Sequence, residues 1–186
     1  RVERATERLR GWSRRHAWAA VLAIGIALAG CDSVYLNAPV PPSAADAARQ
    51  LNALAVESQH SMRGYSRDRF EHWTEQGNSC STRELVLRRD GEDVLTGSRC
   101  NPVDGRWHSQ YDGKVLTDPG EVDIDHMVPL ANAWRSGADE WNDGRREAFA
   151  NDLVNPELLA VSQSSNRSKG DQSPDQWRPD NNGFWC

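Results

Sequence analysis

The feature that most constrains this chain is the stretch of residues 122–171, because it contains nearly all of the recognisable chemistry. It opens with the run VDIDHMVPL, in which apolar and acidic residues alternate. This period of two predicts a short half-buried strand that ends at Asp125 and His126. A second apolar run at residues 158–161 predicts another strand, and the polar residues after it predict a short helix that stops at Gly170.

The residues at the two ends of this stretch resemble a known motif. The D-H pair of the HNH endonucleases falls on Asp125 and His126, and the following V-P-L falls on residues 128–130. The closing N-x-x-K-G-D of that family falls on residues 166–171. The resemblance implies an α+β fold, in which a ββα-metal (HNH) core carries a small antiparallel sheet and surrounding helices.

The resemblance also implies roles that suit the chemistry of these side chains. Asp125 and Asn166 offer oxygen ligands to one hard divalent cation, Mg²⁺ or Mn²⁺, and leave further positions for water and phosphate. His126, neutral near pH 7, takes the proton from the attacking water. Either motif alone is more often a solvated Asp-His pair or an exposed turn, so the assignment depends on both motifs occurring in order.

One position departs from the family's pattern. The middle asparagine, which usually begins the second strand, falls by spacing on Glu157, and Asn155 lies two residues earlier as a substitute. Glu157, Asn155 and Asp123 are therefore the predicted supporting residues. Lys169, Arg167 and Arg83 are the predicted contacts to substrate phosphates, the alternative being ordinary surface charge.

A wider pattern resembles one branch of this group. The C-x-T-R run at residues 80–83, a second cysteine and a W…Y-D-G hairpin precede the D-H motif. Together they resemble the secreted bacterial HNH endonuclease family proteins, which are related to the C-terminal domain of GmrSD-type restriction enzymes. The resemblance covers about residues 51–186. Members of that group continue past the Trp185-Cys186 pair, so we expect a further C-terminal segment in the full protein.

The cysteines agree with export. With Cys31 assigned to lipidation, Cys80 and Cys100 are the expected disulfide, and Cys186 is left without an identified partner. Such a bridge stabilises the fold by about 3 kcal/mol in the chain-entropy model. The alternative is three reduced buried thiols, which requires a reducing compartment.

The N-terminal region indicates targeting. Residues 1–31 place arginines before an apolar run at residues 17–29, which is short for a membrane span, and end in LAGC. This ending resembles a bacterial lipobox and implies lipidation of Cys31, the alternative being a buried apolar helix. Residues 32–43 carry three prolines and are predicted to be a tether. Residues 44–186 are the predicted HNH nuclease domain.

Further elements follow from local signals. Ser43 is predicted to cap a helix at residues 44–57 with a packed apolar stripe, and turn signals before Leu116 predict a meander containing Trp107, Tyr111 and Val115. Residues 131–135 and 142–151 predict helices in the long excursion between the motif strands. Ser173, followed by Pro174 and Gln176, predicts a capped closing helix.

The composition is that of a folded domain, with 38% hydrophobic residues and eight tryptophans, which argues against a disordered chain. The formal net charge of −5 disfavours tight nonspecific binding to a polyanion and favours metal-dependent engagement. The sequence thus predicts a metal-dependent DNA endonuclease, anchored by lipid at Cys31 outside the cytoplasmic membrane, with RNA as an alternative substrate and no protein partner. The competing hypothesis is a lipid-anchored binding protein that keeps the HNH fold without cleaving.

Overall fold

The structure, a computed structural model, describes residues 38–185 of the chain. The helices are α1 Ala44–Ala53, α2 Thr82–Asp90, α3 Leu130–Arg135, α4 Asp143–Ala150, α5 Gln163–Lys169 and α6 Asn182–Trp185. The strands are β1 Gly91–Thr96, β2 Pro102–His108, β3 Val115–Leu116, β4 Val122–His126 and β5 Leu158–Ser162. This mixture of helices and small antiparallel sheets agrees with the predicted α+β class.

The first sheet is the predicted meander. Its three strands lie in the order β1-β2-β3, and both pairs are antiparallel. Trp107 pairs with Gly91 on one side and with Leu116 on the other. Tyr111 lies in the turn after β2 rather than in a strand, and its fully buried ring points away from solvent.

The second sheet contains both motif strands. β4 and β5 pair antiparallel from Val122 opposite Ser162 to His126 opposite Leu158, and α5 follows β5 directly. Because side chains alternate across a strand, Val122 and Ile124 face one side and Asp123 and Asp125 face the other. The apolar side joins the main core cluster: Val86, Leu87, Trp107, Leu116, Val122, Ile124, Leu158 and Ala160.

A second core cluster stabilises the excursion between β4 and β5. Its buried members are Phe70, Leu130, Ala133, Trp134, Ala138 and Ala150, with Tyr65, Trp141 and Phe149 packed at its edge. The two helices predicted in this excursion are present as α3 and α4. The excursion is thus a packed subregion that contacts the segment before α2, because Phe70 lies in that segment.

Two predicted helices differ from the structure. Ser43 does cap α1 by accepting from the Asp46 backbone N–H, but the helix ends at Ala53 and none of its residues is buried. Ser173 begins only a single turn, although its backbone N–H lies 3.3 Å from Gln176 Oε1 as a capping box requires. Pro179 follows closely and cannot continue a helix, and it also disfavours helical geometry at the residue before it.

The predicted disulfide between Cys80 and Cys100 is present. It connects the residue before α2's capping serine to the turn between β1 and β2. Cys31, Cys186, the signal segment and the first half of the tether lie outside the described residues. Among residues 38–185, none of the helices has the length and apolar character needed to cross a membrane.

Candidate active site

The predicted metal ligands and the predicted base lie in one cleft of about 240 Å³. Asp125 and His126 reach it from the end of β4, and Asn166 reaches it from α5. Its other lining residues include Tyr65, Arg67, Ile124, Pro129, Leu130 and Asp171. Two motifs about forty residues apart in sequence therefore meet through the packing of α5 against β4 and β5.

Asp125 is buried and bonded on both carboxylate oxygens. Its Oδ2 accepts from the Tyr111 hydroxyl at 2.5 Å and lies 2.8 Å from Lys169 Nζ, while Oδ1 accepts from the same ammonium at 3.0 Å. Burial raises the pKa of Asp125 above its usual value, and the Lys169 ammonium and the Tyr111 hydroxyl oppose that shift. The carboxylate is held in one orientation by these contacts.

His126 is held through one ring nitrogen. Its Nε2 lies 2.9 Å from the Ala150 carbonyl oxygen, one of the carbonyls left unsatisfied at the end of α4. Because a carbonyl only accepts, Nε2 carries the proton and Nδ1 is the basic nitrogen. Burial lowers the pKa of His126 to about 4, so the ring is neutral at pH 7.

Asn166 is oriented by Asp123. The Asn166 amide nitrogen donates to Asp123 Oδ2 at 3.1 Å, and among residues 38–185 its amide oxygen has no hydrogen-bond donor. Arg167 on the same helix is mostly exposed and lies 4.0 Å from the same Asp123 oxygen. Asp123 thus contacts the side chains of both Asn166 and Arg167, and its supporting role stays a prediction.

The predicted cationic contacts have different surroundings. Lys169 is buried and engaged with Asp125 and with the His126 carbonyl at 2.9 Å, so its ammonium is not presented to solvent as a phosphate contact. Arg83 is not among the cleft-lining residues, and it donates to the Val122 carbonyl at 2.9 Å. Of the three predicted contacts, Arg167 alone has an exposed charge beside the site.

Glu157, at the position where the family has asparagine, is buried under the loop that follows β4. Its backbone carbonyl accepts from Met127 N at 2.7 Å, and its Oε2 accepts from Val128 N at 3.2 Å. Within the described residues its Oε1 is buried without a partner, and burial raises the pKa of Glu157 to about 8. Asn155 is exposed and bonds to Asp152, so it does not substitute in the cleft.

Three features of the site were not predicted from the sequence. Arg67 lines the cleft and donates from Nε to His72 Nε2 at 3.3 Å, which supplies the exposed cation that Lys169 does not. Tyr111 positions Asp125, and the Ala150 carbonyl sets the tautomer of His126. Only Tyr111 had a local signal, the Y-D-G hairpin in which it occurs.

The oxygen donors of the cleft fit one weakly held hard cation. Asp125 has about four lone-pair positions, of which two accept hydrogen bonds and a third faces the Lys169 ammonium, and Asn166 adds an amide oxygen that has no donor within residues 38–185. Residues 38–185 contain no group of three or more His, Cys, Asp or Glu side chains placed to hold a metal. A cation here would therefore depend on water and substrate phosphate for its remaining ligands, in competition with the Lys169 ammonium.

Two comparisons with known proteins give a match. Residues 66–183 match the family described as the C-terminal domain of GmrSD restriction endonucleases. An uncharacterized secreted protein of the fungus Arthroderma benhamiae is 49% identical over 154 residues, covering 80% of this chain and 76% of that protein. This relative is fungal, so the bacterial origin implied by the sequence stays a prediction. No solved structure matches the chain. The match spans both motif strands, α5 and every residue lining the cleft except Tyr65, and this chain belongs to the family of GmrSD restriction endonuclease C-terminal domains.

Proposed function

We propose that this protein is a metal-dependent endonuclease that hydrolyses phosphodiester bonds of DNA by HNH-type chemistry. Family membership indicates a nuclease in general. The observation that carries the finer assignment is the meeting of Asp125, His126 and Asn166 in one cleft. The order of β4, β5 and α5 supports a ββα-metal core.

His126 is the general base in this proposal. Its Nε2 is fixed on the Ala150 carbonyl, so its Nδ1 accepts the proton from the water that attacks phosphorus. The bond from phosphorus to the leaving oxygen breaks, and solvent water protonates that oxygen. The low pKa of His126, about 4, keeps the base form populated through the neutral range.

Arg67 binds the phosphate, because it is the exposed cation lining the cleft and a guanidinium matches phosphate geometry. Asp125 and Asn166 would hold Mg²⁺ or Mn²⁺, which supplies charge neutralisation at the cleaved phosphate when bound. Asp123 keeps the Asn166 amide oxygen available by accepting from its nitrogen.

The test is nicking of supercoiled plasmid with Mg²⁺, Mn²⁺ or EDTA. We expect cleavage with either metal and none in EDTA. Asn166→Ala should lower the rate, and high metal concentration should recover part of the loss, because one ligand is removed from a site that binds weakly. Cleavage that persists in EDTA, or that requires tightly bound zinc, would overturn the metal assignment. An RNA substrate in parallel decides between the two nucleic acids.

We also propose that the protein works outside the cytoplasmic membrane on a lipid anchor at Cys31. The relative is named a secreted protein, and the Cys80–Cys100 disulfide suits an oxidising compartment. Cells fed a fatty-acid analogue should label the wild-type protein and not Cys31→Ser. Absence of label on the wild type would remove the anchor and leave a secreted protein.

The second candidate is a nucleic-acid-binding protein that keeps the fold without cleaving. Two observations favour it: the Lys169 ammonium already pairs with Asp125, and Glu157 replaces the family's asparagine. Binding of DNA without nicking under any metal condition would select this candidate.

A further inference from the structure

A second cleft, of about 480 Å³, lies beside the candidate active site. It is lined mainly by aromatic and aliphatic side chains, among them Met127, Pro129, Trp177, Phe184 and Trp185. We call it the aromatic cleft. Its volume lies in the range of roughly 300–1,000 Å³ that is typical of small-molecule sites.

The aromatic cleft adjoins the active site. Pro129 lines both clefts. Tyr111 and Lys169 line the aromatic cleft and both hold the Asp125 carboxylate, at 2.5 Å and 2.8 Å. The Asp125 side chain with its two partners therefore forms the partition between them, and a ligand with one group at Asp125 is directly beside the aromatic cleft.

The aromatic rings form a packed wall. The Tyr111 ring contacts Trp177 and Phe184 edge to face, with centroid distances of 5.0 Å and 5.4 Å. Trp185 is 39% exposed, and the Arg178 guanidinium lies over its ring at 5.3 Å. Asn132 also lines the cleft, and its side-chain amide has no hydrogen-bond partner among residues 38–185, so that amide offers both a donor and an acceptor to a ligand.

We propose that the aromatic cleft binds the base of an unpaired nucleotide next to the phosphate that is cleaved. This inference rests on the proposed function, and it names the substrate class of that site. A flat heteroaromatic base stacks on tryptophan, and the Asn132 amide can pair with its polar edge. The bases of a continuous duplex are stacked within it, so a base reaches the cleft only from a single strand, a bulge or a flipped nucleotide.

The charge of the protein means that most of its affinity for nucleic acid must come from contacts other than ion pairs. A formal net charge of −5 leaves little of the counterion-release affinity that holds most proteins on duplex DNA. Stacking of a base on aromatic side chains does not depend on counterion release. An aromatic cleft adjoining a site with few exposed cations therefore supplies affinity for nucleic acid where the charge does not.

The experiment measures binding separately from cleavage. A fluorescein-labelled single-stranded oligodeoxynucleotide is titrated in EDTA at low salt, together with a series in which each nucleotide in turn is replaced by an abasic analogue. We expect one position at which the abasic analogue weakens binding by about 10-fold to 100-fold, the range of a stacked base. Trp185→Ala should weaken binding of the unmodified oligonucleotide by a similar factor. For this variant, the abasic analogue at that position should cause no further loss of affinity.

Trp141→Ala is the matched control. Trp141 also lies under an arginine, with Arg145 at 4.1 Å, but it does not line the aromatic cleft. The Trp141→Ala variant should bind every oligonucleotide of the series with the affinity of the wild type. Trp185→Ala should also leave affinity for the perfect duplex unchanged. Trp177→Ala is a second test inside the cleft. If the Trp177 variant does not fold, the result for Trp185→Ala still decides, because Trp185 is exposed.

The outcomes separate this inference from the proposed function. If binding depends on one base, Trp185→Ala removes that dependence and the protein never cleaves, then the base-binding cleft is supported and the proposed hydrolysis is overturned. Cleavage by the wild type, with no position sensitive to the abasic analogue, overturns the cleft and leaves the hydrolysis. A change of sedimentation coefficient in Trp185→Ala, with nucleic-acid affinity intact, would mean that the cleft joins two copies of the chain, and would also overturn the inference.

Discussion

At the scale of single residues, Lys169 and Asp125 form a pair with a nitrogen–oxygen distance of 2.8 Å, and both side chains are 6% exposed. Lys114 and Asp112 form a pair of similar length, 2.9 Å, in which the lysine is 55% exposed and the aspartate, 7% exposed, also accepts a hydrogen bond from Ser162 Oγ at 2.6 Å. Removing one member of a buried pair leaves an unpaired charge in a poorly solvated place, whereas an exposed partner is replaced by water.

Lys169→Met should therefore lower the free energy of unfolding by about 3–5 kcal/mol, and Lys114→Met by less than about 1 kcal/mol. Urea denaturation near pH 7 measures both. Millimolar Mg²⁺ should restore part of the stability of Lys169→Met, since a cation then replaces the ammonium beside Asp125. Equal small losses in the two variants would show that Asp125 is better solvated than the structure indicates.

Glu157 gives the site a pH dependence with a definite sign. Its pKa rises from 4.5 in the unfolded chain to about 8 in the folded protein. Between these values the folded protein keeps a proton that the unfolded chain has lost, so Glu157 makes stability fall as pH rises through this window. Burial of the carboxyl group is the cause of the raised pKa, and within the described residues its Oε1 has no hydrogen-bond donor that would favour the ionised form.

Glu157→Gln removes that titration and keeps the size of the side chain. The stability of the variant relative to the wild type should increase steadily from pH 5 to pH 8 and then level off. Urea midpoints of both proteins at each pH give this difference, and the opposite titration of His126, whose pKa falls to about 4, cancels because both proteins share it. Parallel pH curves would contradict the assignment.

At the scale of elements, the corner between α2 and β1 fixes the main core. Gly91 ends α2 and begins β1, and a Cβ there would lie 2.5 Å from Val94 Cγ2 and 2.6 Å from Trp107 Nε1. That indole nitrogen donates to the Leu87 carbonyl at 2.8 Å. Any side chain at Gly91 therefore displaces the largest ring of the core from its hydrogen bond.

Gly91→Ala should destabilise the protein by about 1–3 kcal/mol through overpacking. Gly144→Ala is the control, because Gly144 lies in α4 and its Cβ would come no closer than 3.8 Å to Asn142 Oδ1. Removing a helical glycine at an open position should be neutral or stabilising by up to ~1 kcal/mol. Thermal unfolding of the two variants distinguishes them, and a neutral Gly91→Ala would mean that Trp107 can move freely.

The elements that the sequence predicted well are those with a local cause. β4 and β5 follow from apolar patterning, and α5 ends where Gly170 adopts φ +55°. The turn at Ser173 kept its capping contact without becoming a helix, because a cap stabilises a helix start and does not propagate it against Pro179.

The residues of the site also fall into two groups, those with a local sequence signal and those without one. Asp125, His126 and Asn166 are found by motif, since each motif occupies a few consecutive residues. Arg67 and the Ala150 carbonyl reach the site only through the packing of the excursion against the segment before α2. A backbone carbonyl has no sequence signal, and Arg67 has no neighbouring motif residue, so neither was predictable.

At the scale of the whole molecule, the disulfide closes a chain segment of 20 residues that contains α2 and β1. The chain-entropy model assigns about 3 kcal/mol to a loop of this length. The double variant Cys80→Ala with Cys100→Ala should lose about that much stability in urea while keeping its fold and cleft. A loss near zero would mean that the unfolded chain is already compact in this region.

The central claim is that His126 is the base that activates water in this cleft. The most direct measurement is the rate of plasmid nicking in Mn²⁺ by the wild type, His126→Ala and His108→Ala, with circular dichroism to confirm folding. His108 lies in β2 beside Glu92 and does not line the cleft, so its variant should nick at close to the wild-type rate. We predict that His126→Ala is slower by about 10²–10⁴-fold, the usual contribution of a general base. A folded His126→Ala that nicks at the wild-type rate would contradict the account.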